Sequence, residues 1–368
     1  MKIVLTGGGT GGHILPLIAV AKKIKEKDPS AEFLFVGTNG GLEEKIMKEE
    51  GIKTRIILSG KLRRYFSFLN FVDFFKIGIG VIQSLWILFW NMPDAIFSKG
   101  GYASFPVVFV SWIYQIPSLI HESDANPGMA NSVLAKFSSR VAVSYPRAEI
   151  YFPAEQVVFT GNPLREDIAQ GNPQNALEKF SFSKDRKTIF IWGGSQGSQI
   201  INKSILDILP KLIEKYQIIH QTGVKNFEDM QKIIGEIGLK LAEIKNVYCP
   251  IDFIGKELKD ILALSDLVIS RAGSNSISEI AANGKPAIII PIEKSANDHQ
   301  RMNAYIVAKN GGCVVLEETN LGGNILLKKI EEILTNESLN QKMRTNIKIF
   351  YRPDAAEKIA EGIFGMLE

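Results

Sequence analysis

At 368 residues, with 45% hydrophobic and 22% charged side chains, the chain can bury two ordinary domain cores, which excludes a disordered or fibrous protein. Its net charge of +4 suits anionic phosphates or lipid head groups but is too small to argue for nucleic acid, and no arginine-rich stripe interleaved with aromatics speaks for it. Two cysteines, Cys249 and Cys313, with no C-x-x-C spacing rule out a disulfide framework and a zinc ribbon and point to a reducing cytoplasm.

The chain opens MKIVLTGGGTGGHILP: a strand over residues 2–6, five glycines within positions 7–12, then His13 at the start of a helix. Glycines between a strand and a helix let backbone amides approach a bound anion or nucleotide. Gly7, Gly9 and Gly12 satisfy the G-x-G-x-x-G pattern, yet the second strand, Phe33 to Gly37, runs into Thr38-Asn-Gly-Gly41 without the acid that would hold a dinucleotide ribose. No apolar signal segment follows Lys2, so no signal peptide is expected.

Further strands are predicted near 53–58, 94–98, 117–121, 140–143 and 156–160. Between the first and second of these runs lies FSFLNFVDFFKIGIGVIQSLWILFW, residues 66–90. Asp73, Lys76 and Gln83 argue against a membrane span, which needs ~20 nearly uncharged residues. On a helix these three fall with Gly80 and Ser84 on one narrow side, the rest being apolar, with Lys61, Arg63 and Arg64 just upstream. The pattern fits a membrane-surface element facing anionic head groups, and equally a buried crossover helix.

The polar stretch from Gly161 to Lys187 reads as a linker. After it the rhythm restarts with TIFIWGGSQG, residues 188–197, followed by strands near 216–221, 245–248, 266–270, 286–291 and 312–315. The expected fold is therefore α/β, two Rossmann-like doubly wound domains facing across a cleft, with ligands at the carboxyl ends of the strands. The four histidines, His13, His121, His220 and His299, all fall at or after predicted strands, where titratable groups serve chemistry.

The clearest chemical stretch follows the strand that ends at Ser270. Gly273 allows a tight turn, and Ser274, Asn275 and Ser276 suit a helix start whose amides and dipole seat a phosphate. Glu279, one turn further in, is suited to accept ribose hydroxyls or simply to interact with the dipole as a solvated acid. Gly193-Gly-Ser-Gln-Gly197 is a second phosphate or sugar loop, Arg165 offers a bidentate phosphate contact, and Asn297-Asp-His-Gln300 is placed to address sugar hydroxyls. No D-x-D pair occurs, so helix dipoles and arginine, rather than a metal, are expected to stabilise a diphosphate.

Taken in register, Gly8-Gly-Thr-Gly-Gly-His13, Gly100-Gly-Tyr102, His121-Glu122, Gly161-Asn-Pro-Leu-Arg165, Gly193-Gly-Ser-Gln-Gly197 and Ser278-Glu-Ile-Ala-Ala282 resemble the MurG family, the lipid-intermediate N-acetylglucosaminyltransferases of peptidoglycan synthesis. The resemblance runs from residue 1 to about 315. It implies a GT-B glycosyltransferase, inverting, metal-independent and without a cofactor. Such an enzyme sits peripherally on the inner face of the cytoplasmic membrane and moves N-acetylglucosamine from UDP-GlcNAc to the 4-hydroxyl of the muramyl sugar of lipid I. It implies a membrane-facing acceptor domain over 1–163, with a helix at about 350–368 packing back on it, and a UDP-sugar domain over 164–349. By position, Thr10, Gly11 and Gly12 line the donor sugar and diphosphate, Arg165 and Ser195 bind the diphosphate, and Ile254 lines the uracil pocket. Ser274, Asn275, Ser276, Ile277, Ser278 and Glu279 hold the nucleotide, and Gln300 the sugar hydroxyls. His13 is the candidate base, with Glu122 and Asp124 as rivals for catalysis or for orienting the acceptor.

Two departures stand out. Many members read His-Glu-Gln-Asn where this chain has His121-Glu-Ser-Asp124, and many carry a glycine where this chain has Phe105. Competing readings are a diacylglycerol glycosyltransferase, a UDP-GlcNAc 2-epimerase and a non-catalytic UDP-sugar sensor. The apolar stretch 66–90 counts against an epimerase, and a histidine beside the sugar loop would be idle in a sensor.

Overall fold

Runs of three to six residues, most of them apolar, form thirteen strands, all in parallel pairs, in a computed structural model that describes residues 1–8, 11–38, 42–60, 68–194 and 196–368. The first seven are β1 Lys2–Thr6, β2 Glu32–Gly37, β3 Lys53–Ile56, β4 Ala95–Ser98, β5 Ser118–Glu122, β6 Arg140–Val143 and β7 Val157–Phe159, in the order β3-β2-β1-β4-β5-β6-β7. The other six are β8 Thr188–Trp192, β9 Gln217–Gln221, β10 Tyr248–Ile251, β11 Leu267–Ser270, β12 Ala287–Ile289 and β13 Cys313–Val315, ordered β10-β9-β8-β11-β12-β13. Every residue of β4, β5, β8, β9 and β11 is buried, because crossover helices cover both faces of a parallel sheet; hence the runs read as continuously apolar rather than alternating.

Two compact units result: Met1–Arg165 with Arg352–Glu368, and Glu166–Tyr351. In the first unit the helices are α1 Ile14–Lys27, α2 Leu42–Glu49, α3 Phe68–Asn91, α4 Ser104–Ile113 and α5 Met129–Leu134. The helix Ala355–Phe364 returns to it, burying Ala356, Ile359, Ala360 and Ile363 in the core formed by α1 and β1. Strand order reverses direction between β1 and β4 in this unit and between β8 and β11 in the other, the two places where a doubly wound sheet opens for a ligand.

Two sequence expectations need correction. The stretch 161–187 is no plain linker: it holds a 3-10 turn, Glu166–Ala169, and helix α6, Pro173–Phe180. The Asn172 side chain accepts from the Gln174 amide at 3.0 Å and Pro173 occupies the first turn, so polar residues that read as loop are the cap of a helix. The strand expected at 245–248 is β10 at Tyr248–Ile251, where Tyr248 pairs with Ile218. A helical turn over Leu241–Ile244 takes up the preceding residues.

Helix α3 is inverted relative to an ordinary amphipathic helix. Most of its narrow polar side faces the protein: Asp73 and Ser84 are buried, and Gln83 accepts from the Leu58 amide at 2.7 Å, while Lys76 stays exposed and pairs with Asp73 at 3.6 Å. Gly80 makes this approach possible, since a Cβ there would lie 2.0 Å from the Leu58 carbonyl oxygen, which outweighs the roughly 1 kcal/mol that glycine costs inside a helix. Leu88, Val81, Leu85 and Ile87 pack into the core, but the larger apolar face is turned outward, with Phe71, Phe74, Phe75, Ile79, Ile82, Trp86, Phe89 and Trp90 exposed. Trp112 and Ile113 at the end of α4 are exposed too, and Tyr114 just beyond donates to the Leu85 carbonyl of α3 at 3.3 Å. By length and composition Phe71–Asn91 is sufficient to cross a membrane.

Candidate active site

In the first unit, register places the chemistry. Thr6 lies beside Ser98 and Ser98 beside Ile120, so the residues that follow, Gly7, Lys99 and His121, emerge side by side at the carboxyl ends of β1, β4 and β5. Gly101 has φ +86, and a Cβ there would meet the Gly8 carbonyl oxygen at 2.3 Å. Only glycine lets the β4 loop close on the β1 loop in this way.

Gly11, Gly12 and His13 form a 3-10 turn that leads directly into α1. His13 Nδ1 lies 3.1 Å from the Lys99 carbonyl oxygen. A carbonyl only accepts, so Nδ1 carries the proton and Nε2 keeps its lone pair, with no partner among the described residues. Burial first, and the Lys99 charge second, hold this imidazole below its ordinary value, so at neutral pH it is an unprotonated base.

His121 is fully buried, and both its nitrogens are engaged within the protein: Nε2 with the Gly161 carbonyl at 3.0 Å, Nδ1 with the Lys99 ammonium. Burial pushes its pKa down strongly. Glu122 is buried and accepts from the Asp124 amide at 2.8 Å, the Gly128 amide at 3.0 Å and Asn131 Nδ2 at 2.9 Å. Desolvation, then the neighbouring Asp124, raises it to about 7. Its geometry is that of a scaffold for the loop 123–128, which carries the half-buried Asp124 upward.

In the second unit, Arg271 follows β11 and lies beside Gly193, which follows β8, since Ser270 pairs with Trp192. Its Nη2 pairs with Glu318 Oε1 at 2.6 Å and donates to Ser198 Oγ at 2.6 Å, while Nη1 donates to the Ile290 carbonyl at 3.1 Å. Ser198 in turn caps α7, Gln199–Leu206, so this arginine ties the glycine loop of β8 to the strand ends of β11 and β12. The helix Ser274–Ala282 follows Gly273, whose extended backbone is the cap, so Ser274, Asn275 and Ser276 form its first turn, as expected. Ser274, Ile277, Ser278 and Glu279 are buried; Asn275 and Ser276 are half-buried, and Ile254 is buried in the loop after β10. Gln300, near the start of the helix His299–Lys309, accepts from the Ile292 amide at 3.1 Å. Asn297 and Asp298 before it hold left-handed backbone (φ 55 and 54), a cost that non-glycine residues bear chiefly at functional loops. Arg165 is half-buried at the end of the first unit's segment. Thr10 and Ser195 lie outside the described residues.

His220, expected at a ligand-facing strand end, is instead fully buried: Tyr248 donates to its Nδ1 at 3.0 Å, and its Nε2 donates to Asn202 Oδ1 at 3.0 Å. Residues not singled out from the sequence are Lys99 and Arg271. The only signal for either is a cation placed directly after a buried strand and before a glycine turn.

Residues 3–143 match the glycosyltransferase family 28 N-terminal domain and residues 188–359 the C-terminal domain of the same family. Over 363 residues the chain is 38% identical to the UDP-N-acetylglucosamine--N-acetylmuramyl-(pentapeptide) pyrophosphoryl-undecaprenol N-acetylglucosamine transferase 2 of Bacillus thuringiensis subsp. konkukian, covering 98% of this chain and 99% of that one. The chain belongs to the MurG family of glycosyltransferases. The Bacillus subtilis transferase is 35% identical over 360 residues, 98% of each chain. Among solved structures, Acinetobacter baumannii MurG superposes with a TM-score of 0.76 at 25% identity over 99% of both chains. Staphylococcus aureus MnaA with UDP gives 0.74 at 14% identity, covering 100% of this chain and 97% of that one, which is a likeness of fold. The family match separates the chain from the epimerases that share the architecture.

Proposed function

We propose that this chain transfers N-acetylglucosamine from UDP-GlcNAc to the 4-hydroxyl of the muramyl sugar of lipid I, giving lipid II, by one inverting displacement. The relatives' names supply the substrates; the observation that carries the chemistry is His13, whose Nδ1 is committed to the Lys99 carbonyl so that Nε2 stands as a base. As the acceptor oxygen attacks C1 of the donor sugar, Nε2 takes the hydroxyl proton, the bond from C1 to the diphosphate breaks, and the electron pair leaves with UDP. The developing charge on UDP falls to the amides at the start of Ser274–Ala282 and of the glycine loop after β8 in the second unit, and to Arg165 at the end of the first unit's segment, while Glu279 addresses the ribose and Gln300 the sugar. Asp124 is the acceptor-side carboxylate and orients the muramyl sugar.

The outward apolar face of α3 is the membrane contact. With Asp73, Gly80 and Ser84 packed on the protein, the helix lies along the bilayer interface with its aromatics inserted. Location on the inner face of the cytoplasmic membrane is the reading that membership of the MurG family supports.

The test is His13→Ala, assayed with labelled UDP-GlcNAc and a short-chain lipid I analogue. Loss of a general base costs ~10²–10⁴-fold, so turnover falls by that order while UDP affinity holds. Near-normal turnover refutes the assignment and transfers the base to Asp124.

A further inference from the structure

Lys99 is only 2% exposed, yet it meets groups from several segments of the acceptor-side site. Its Nζ has three neighbours: His121 Nδ1, Ser123 Oγ at 2.6 Å and Asn162 Oδ1 at 3.1 Å. His121 Nε2 faces a carbonyl and therefore carries the ring proton, which leaves Nδ1 as an acceptor. The carbonyl of Asn162 accepts, and the hydroxyl of Ser123 can. Three acceptors around one nitrogen match an ammonium, which has three N–H groups and no lone pair. The backbone carbonyl of the same residue is what accepts from His13 Nδ1.

We infer that Lys99 is a positioning residue for the transfer, setting both imidazoles of the acceptor side: through its ammonium it holds His121 in the Nε2–H form and joins Ser123, next to Asp124, to Asn162, and through its carbonyl it holds His13 with Nε2 bare. The inference rests on the glycosyl-transfer reading above and deepens it. The ionisable groups that face Lys99 are His13 from the turn before α1, His121 and Glu122 from β5, and Asp124 from the following loop. Glu122 and Asp124 favour the charged lysine; burial opposes it more strongly and brings it to about 7. That charge disfavours a second cation beside it, so Lys99 helps to keep His13 unprotonated.

The experiment uses Lys99→Met, close in length but without charge or donor, in the full chain with ¹⁵N-labelled histidine. His13→Asn assigns the His13 signal. Expected in the folded variant is a rise of the His13 pKa, since a nearby like charge has been removed, together with loss of the single His121 tautomer. With UDP-GlcNAc and a short-chain lipid I analogue, kcat falls roughly 10–10²-fold, and its acid limb moves to higher pH with His13. KM for UDP-GlcNAc changes by less than about twofold. A folded variant with His13 titration and His121 tautomer unchanged overturns the inference. Should the variant not fold, the wild-type spectrum decides: a proton on His121 Nε2 supports it, a proton on Nδ1 overturns it. A wild-type enzyme that makes no product while the imidazoles respond to Lys99→Met overturns the transfer reading and leaves the coupling.

Discussion

Replacing Phe74, Phe75 and Trp86 together by serine tests the outward face of α3. The three side chains are 67%, 56% and 61% exposed. An aromatic side chain carries 150–250 Å², so each presents about 100–130 Å² to solvent. Taking that area fully out of water is worth ~3 kcal/mol per ring at ~25 cal/mol per Å². A helix in the interface buries about half of it, so the triple change costs about 4 kcal/mol, roughly a thousandfold in vesicle partitioning. The assay is sedimentation with anionic phospholipid vesicles beside thermal unfolding of the same protein. The fold loses little: these rings make edge contacts with one another (Phe74 and Phe75 centroids 6.3 Å apart) or stack along the same exposed face (Trp86 on Trp90 at 5.8 Å), and exposed substitutions stay within about 0.5 kcal/mol each. Unchanged partitioning, or a collapse of stability in place of lost binding, refutes the reasoning and makes α3 a structural helix.

EDTA is expected to leave turnover largely intact, because no D-x-D pair exists to hold a metal on the diphosphate and amides and Arg165 are assigned that charge; complete loss restored by magnesium refutes it. Acid should destabilise the second unit through His220. Burial lowers its pKa from 6.5 to about 3, so the unfolded chain binds the extra proton between those values. The stability it contributes is fully present above 6.5 and is lost as pH falls toward 3, up to a few kcal/mol. Denaturant midpoints measured across that window should fall for the wild type and fall less for His220→Asn; parallel curves would show that the imidazole is not buried neutral.

Much was legible in the chain because it is set locally. A strand buried on both faces announces itself as an apolar run, and the glycines after β4 and β8 declare turns because only glycine readily tolerates the left-handed backbone found at Gly100, Gly101, Gly194 and Gly197. Those signals yielded the two doubly wound series and the order of the ligand-binding loops, and the motif register yielded the family. The polar cap of α6 was misread for the opposite reason: asparagine and proline serve loops and helix starts alike, and only the Asn172 hydrogen bond tells which.

What the tertiary structure alone decided is which side of each element meets which neighbour. The composition of α3 separates a polar strip from an apolar face, but whether the strip turns in or out depends on Leu58 and the buried surroundings of Asp73 and Ser84, which lie on other segments or under them. Lys99 reads as an ordinary loop cation until β4 and β5 align and His121, Ser123 and Asn162, which lie 22 to 63 residues further along the chain, close around its ammonium. Glu122 reads as a rival base or an acceptor-orienting carboxylate, and only the fold shows that three N–H groups are aimed at it. Local sequence sets backbone conformation and periodicity through sterics; the charge state, tautomer and exposure of a side chain are set by groups distant along the chain, and exist only once the sheets have brought those groups together.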